Sequence, residues 1–244
     1  KHSSTVGVTN FLPSFKGTHL EKEIKALEGV LNNPNKPVAA IIGGSKVSTK
    51  IDVINFLLKK MDIIIIGGAM ANTFVAAKGL DVGKSLFEKE CIDLAKELIE
   101  KSQNNNCNLI LPTDFIVSKN LKKNAEYTTA NFDSLPHNMM ALDIGPKSIE
   151  LINKNINNCK TILWNGPLGA FEIYPFDKGT NKVASHVSSL TKQKKILSVA
   201  GGGDTVSALN NAKVLNDFSY VSTAGGAFLE WLEGKVLPGI EPIS

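Results

Sequence analysis

Apolar residues fall in short unbroken runs along most of the chain: VAAII (38–42), IIII (63–66), NLIL (108–111), ALDI (141–144), TILW (161–164), ILSVA (196–200) and FSYVST (218–223). The runs are short, largely β-branched or aromatic, and mostly lack alternation, which is how strands buried on both faces of a sheet read. Between them apolar residues return at helical spacing. In KIDVINFLLKK (50–60) positions 51, 53, 54, 57 and 58 are apolar, and in FEKECIDLAKELIEK (87–101) Leu94, Leu98 and Ile99 form a face. A charged amphipathic helix, EKEIKALEGVLNN (21–33), is predicted near the start and is closed by NNPNKP. Strand–helix alternation of this kind predicts a doubly wound α/β fold, with a mostly parallel sheet and helices on both faces in a Rossmann-like three-layer arrangement. The asparagine-rich stretches SQNNNCN (102–108) and KNLKKNAEYTTANF (119–132) read as loops.

Composition narrows the class. A chain of 244 residues, 43% apolar and 20% charged, suits one large soluble domain or two small ones. The formal net charge of +4 is too weak to argue for nucleic acid or an anionic membrane as partner. There is no arginine, so lysine carries the whole positive count and would bind phosphate as a point charge rather than a fork. Three cysteines, Cys91, Cys107 and Cys159, form no CxxC pair, and the expectation is reduced thiols at a cytoplasmic address. No stretch reaches the roughly 18 apolar residues of a membrane span. No signal-peptide pattern is visible, and an opening Lys1-His2-Ser3 without an initiator Met reads as that of a fragment or processed product.

Candidate chemistry sits where the predicted strands end. VAAII runs into GGSKVSTK (43–50), IIII into GGAMAN (67–72), NLIL into PTD (112–114), TILW into NGPLGAFE (165–172), ILSVA into GGGDT (201–205) and FSYVST into AGGAF (224–228). In a parallel sheet all these turns share one edge, and open α/β folds bind ligands outside that edge. One such turn alone is an ordinary tight connection. Several, with Lys and Asp interleaved, point to a ligand site. Helix N-termini offer unpaired N–H groups and partial positive charge, and glycine lets an anion approach them. Lys46 and Lys50 would share a face if a helix has already started there. Together these features suit a polyphosphate. Asp204 would then repel the phosphates unless Mg²⁺ lies between them, and magnesium takes one or two carboxylates plus phosphate oxygens. The alternative for Asp204 is a plain helix N-cap. No GxxxxGK[ST], GxGxxG or GxSxG occurs, and His2, His19, His137 and His186 lack metal spacing.

HSSTVGV (2–8), EKE (21–23), GGSKVSTKI (43–51), IIIGGAMANTF (64–74), WNGPLGAFE (164–172), GGGDT (201–205) and STAGGAFLEWLEGKVLPG (222–239) occur in order and with compatible spacing. Together they resemble the phosphoglycerate kinases, specifically their C-terminal, nucleotide-binding half, over essentially the whole chain. The resemblance implies reversible phosphoryl transfer between 1,3-bisphosphoglycerate plus ADP and 3-phosphoglycerate plus ATP, with Mg²⁺, across a cleft that closes by hinge bending. It also implies a monomer without nucleic-acid or membrane partners.

By motif, Lys46 would contact the phosphoryl group in flight. Gly44, Ser45 and Lys50 would hold the nucleotide and its phosphates. Gly67 and Gly68 would line the adenine pocket, with Leu142 on its wall. Asn165 would face the phosphates. Gly166, Leu168 and Phe171 would line the base and sugar site, and Glu172 would accept ribose hydroxyls. Gly202, Gly203 and Thr205 would cradle the phosphates, Asp204 would hold the metal, and Gly225 and Gly226 would offer another helix N-terminus to the reacting group. Residues 1–19 would be a remnant of the phosphoglycerate-binding domain and hinge, 20–34 the interdomain helix and 35–244 the nucleotide-binding domain. That assignment places the family's phosphoglycerate-binding arginines outside this sequence. Ala69 and Ala224 stand where many relatives have a third glycine. Two other classes stay open on the residues alone: an NAD-dependent α/β dehydrogenase, disfavoured by the missing GxGxxG, and a non-catalytic partner-binding module.

Overall fold

The computed structural model describes residues 2–243. Six parallel strands form the main sheet: β1 (Val38–Ile42), β2 (Ile63–Ile66), β3 (Asn108–Ile110), β7 (Thr161–Asn165), β8 (Leu197–Ala200) and β9 (Tyr220–Val221). Their spatial order is β3-β2-β1-β7-β8-β9. The chain thus builds outward from β1 in one direction, then returns and builds outward from β7 in the other. The crevice between the carboxyl ends of β1 and β7 is where strand order reverses, the position at which open α/β sheets bind ligands.

Alternation along the central strands explains their unbroken apolar runs. Val38, Ala40 and Ile42 of β1 point into one core, and Ala39 and Ile41 into the other. The first core is covered by α1 (Thr18–Leu31), α2 (Ile51–Leu57), α3 (Met70–Ala77), α4 (Ile92–Asn104) and α8 (Gly226–Leu232), through Leu27, Ile54, Phe74, Leu98 and Phe228 among others. The second is covered by α5 (Pro146–Ile156), α6 (Lys178–Lys192) and α7 (Gly203–Asn211), through Ile152, Val183 and Leu209 packed around Trp164. With both faces covered, β1 and β7 have no exposed position to fill with a polar residue.

The structure corrects the reading of the middle of the chain. ALDI does not join the main sheet. It forms β6 (Met140–Ile144) of a second, antiparallel sheet of order β5-β4-β6, with β4 (Asp114–Ser118) and β5 (Thr128–Asn131). Part of the stretch read as an asparagine-rich loop is therefore strand β5. Its TTAN is mostly exposed and carries no apolar signal; main-chain pairing with β4 holds it. A separate small core of Phe115, Val117, Leu135 and Ala141 packs this sheet against Val75 of α3.

Candidate functional site

The turns at the crevice interlock through main-chain contacts. Gly43 N–H donates to Asn165 O at 2.9 Å, Gly68 N–H to Leu168 O at 2.9 Å and Met70 N–H to Gly44 O at 3.0 Å. Gly166 has φ +104°, in the region that favours glycine. A Cβ on Gly43 would lie 2.8 Å from the Gly166 carbonyl carbon and 2.7 Å from that of Pro167. No side chain fits between these backbones, so the post-β1 and post-β7 turns are locked face to face. The post-β8 turn is joined to them by side chains: Gly166 N–H donates to Thr205 Oγ1 at 2.7 Å, and Asn165 Nδ2 to Gly201 O at 2.7 Å.

Beside these turns lies a cleft of about 290 Å³. Its lining divides by chemistry. Leu86, Leu121, Leu142, Phe171 and Ile173 supply apolar surface, and Gly44, Ser45, Gly68, Ala69, Pro167 and Gly169 contribute small residues and main chain. Glu172 and Asp204 supply two exposed carboxylates. Leu86 and Leu121 are 59% and 48% exposed and present adjoining apolar surface to the cleft.

Of the expected site residues, Gly44, Ser45, Gly68, Leu142, Phe171, Glu172 and Asp204 line this cleft. A second group braces it from behind. Leu168 is 1% exposed and packs on Gly67, while Asn165, Gly166 and Thr205 are buried in the hydrogen bonds just described. Lys50 donates to Asn165 Oδ1 and feels the charge of Asp204. Burial holds its ammonium below the usual lysine range, against the opposing pull of Asp204 and Glu233. Gly202 caps α7 with φ +97°, and Gly203 opens that helix with nothing within 4 Å of where its Cβ would be.

One conditional expectation and one alternative reading fall away. Helix α2 starts at Ile51, so Lys46 lies in the turn before it and does not share a helical face with Lys50. Asp204 is not the N-cap of α7, since Gly202 holds that position and Asp204 stands within the first turn. Its carboxylate has no hydrogen-bond partner among the described residues and is free to meet a ligand. Among the described residues no group of three His, Cys, Asp or Glu side chains could hold a metal ion. An exposed carboxylate beside the amide end of α7, that of Asp204, fits magnesium carried in on phosphate oxygens, which needs no protein cage. Gly226 stands apart from the cleft lining. It opens α8 after β9, whose exit is tied to the main edge by Ser222 N–H donating to Ala200 O at 2.7 Å.

Three acidic residues that sequence reasoning gave no site role position the turns. Glu88 accepts from Ser48 N–H at 3.0 Å and Ser48 Oγ at 2.5 Å, clamping the turn that carries Lys46. Burial raises the Glu88 pKa, but the Ser48 and Val47 hydrogen bonds and the Lys46 charge outweigh it and hold the carboxyl low. Asp143, whose carboxyl is pushed well up by burial, accepts from Gly179 N–H at 2.6 Å and Ile144 N–H at 2.9 Å directly behind Gly169. A charged residue inside the apolar run ALDI was the available signal for it. Glu23 of α1 is 5% exposed and accepts from the Tyr220 and Ser222 hydroxyls, fixing the segment that leads to Gly225 and Gly226.

The sequence profile of the family described as Phosphoglycerate kinase matches residues 1–235. The chain belongs to the phosphoglycerate kinase family. The phosphoglycerate kinases of Rhizobium meliloti and Brucella melitensis are 51% and 53% identical to it over 240 residues. The matches cover 98% of this chain and 60% and 61% of those relatives, so the chain spans about three fifths of their length. The solved phosphoglycerate kinase of Coxiella burnetii superposes with a TM-score of 0.93 at 44% identity, over 98% of this chain and 62% of that one. The phosphoglycerate kinase of Pyrococcus horikoshii gives 0.81 at 27% identity, over 98% and 60%. The comparisons give no support to the dehydrogenase or partner-binding readings.

Proposed function

We propose that this chain supplies the magnesium–nucleotide site for reversible phosphoryl transfer between 1,3-bisphosphoglycerate plus ADP and 3-phosphoglycerate plus ATP. The observation that carries the reading is the cleft at the β1/β7 reversal, where an apolar lining adjoins the turn bearing Asp204 and the open amide end of α7. The base would rest against Leu142 and Phe171, with Glu172 accepting ribose hydroxyls. The phosphates would run toward Lys50 and the amide groups at Gly203. Asp204 would hold the magnesium, which neutralises phosphate charge when bound. Lys46, exposed on its clamped turn, would meet the transferring phosphoryl group, and Gly226 would lie toward the same group.

The chemistry asks for positioning and charge neutralisation more than proton transfer. The acceptor in the direction of ATP use is already a carboxylate, so no general base is required. The phosphoglycerate would be held by residues outside this sequence, consistent with a chain that lacks arginine and spans about three fifths of its relatives. In this reading residues 1–19 belong with that substrate domain and hinge, residues 20–34 join the two domains, and 35–244 bind nucleotide. Phe11 and Phe15, 86% and 85% exposed, support a packing partner beyond the described surface. The protein would act in the cytoplasm as a monomer, and the chain alone would turn over poorly.

Calorimetric titration with ADP in the presence of Mg²⁺ tests the reading. Saturable one-to-one binding that weakens when Mg²⁺ is removed is expected. No heat of binding at millimolar nucleotide, with the chain folded, would count against it.

A further inference from the structure

We propose that the amino edge of the main sheet, opposite the nucleotide cleft, carries a second anion site for a small molecule bearing several phosphate groups. Strand register makes the site. Val38 pairs with Thr161 and Thr161 with Leu197, so the residues just before β1, β7 and β8 lie side by side. Lys160 N–H donates to Pro37 O at 2.8 Å and Leu197 N–H to Lys160 O at 2.8 Å, which holds the three approaches together. Lys36, Lys160, Lys194 and Lys195 converge there on a recess of about 640 Å³.

Charge bookkeeping singles this recess out. Lys36 pairs with Asp62 at 3.2 Å, and nearby Lys192 pairs with Asp217 at 2.8 Å. Lys160, Lys194 and Lys195 have no carboxylate within ion-pair distance among the described residues. The carboxyl end of α6 accounts for lysines at 194 and 195, since cations there complement the helix dipole. It does not account for Lys36 and Lys160, which arrive from separate segments. Three of the four lysines thus gather without counter-charge, and a bound polyanion relieves their mutual repulsion.

The recess also says which anion. It is lined by no aromatic ring, so it has no platform on which a nucleic-acid base could stack. It has no guanidinium fork, so recognition is by point charge. Its size suits a compact ligand rather than a polymer track.

The test follows amide signals of the isotope-labelled chain during titration with inorganic tripolyphosphate in the absence of metal. Saturable shifts are expected at Lys36, Lys160 and Lys194–Leu197, weakening as salt rises. Their half-saturation concentration should increase about tenfold in Lys160→Ala/Lys195→Ala, taking the low single-digit factor typical of each exposed charge contact. It should stay unchanged in Lys50→Ala, which reports only on the opposite edge. All four lysines are solvent-exposed, so these variants are expected to melt with the parent. If the double variant does not, Lys36→Gln/Lys194→Gln provides the same reading. Absence of saturable shifts at these amides would overturn the proposal, as would shifts that survive both double variants. So would a single-stranded oligonucleotide of equal charge saturating the same amides at lower concentration.

Discussion

The turns after β1 and β7 and the turn after β8 are all rich in glycine, yet they use it to opposite ends. Gly43 and Gly166 are buried against one another, and a methyl group on either would strike backbone. Gly203 is exposed, and a methyl group there would meet nothing within 4 Å. The first pair closes the frame; the other leaves room for something to approach. A glycine-rich motif is therefore not in itself a phosphate cradle. At this edge Gly43, Gly68 and Gly166 pack main chain on main chain, whereas Gly44, Gly203, Gly225 and Gly226 stand open and are available to a ligand.

Alanine scanning of the two classes sharpens the contrast. Gly166→Ala should cost about 3 kcal/mol or more in urea unfolding, because it combines a positive φ with backbone overlap. Gly29→Ala, in the middle of α1 with open space around it, should instead be neutral or stabilise by roughly 0.5–1 kcal/mol. Gly203→Ala should leave the unfolding midpoint nearly unchanged while weakening Mg-ADP binding about tenfold, the cost of crowding an occupied site by one methyl group. Equal stability losses at positions 166 and 203 would erase the distinction between frame and approach.

Lys50 spans both classes, since it touches Asn165 and feels the charge of Asp204. Its pKa in the folded chain lies below 10.5, so between the folded and unfolded values the unfolded chain binds more protons and stability rises with pH. Nucleotide phosphates favour the charged form, so binding takes up a proton in that window. Affinity should fall with pH above the Lys50 pKa by up to about tenfold per unit. Lys50→Gln should bind more weakly and show a flatter profile, and an unaltered profile in the variant would remove Lys50 from the phosphate site.

The same contrast marks what the sequence disclosed. Strands β1, β2 and β7, buried on both faces, announce themselves as apolar runs, and their shared carboxyl edge follows from strand–helix alternation. The small antiparallel sheet does not. TTAN of β5 is polar and exposed, and ALDI of β6 looks like any other buried strand until its partner is known. At the site, the glycine turns, Lys50 and Asp204 were legible because each residue type has a chemical reason to be there. Leu86 and Leu121 were not, since exposure of an apolar side chain is a property of the fold. Glu88 was hidden for a related reason: it acts on Ser48 from 40 positions away, and no local spacing records that pairing.

A crystal of the chain grown or soaked with Mg-ADP tests the central claim most directly. The base should lie against Leu142 and Phe171, the β-phosphate should reach the amide end of α7, and the metal should sit on Asp204. Nucleotide bound at another face of the sheet, or an ordered cleft left empty at saturating Mg-ADP, would contradict the account.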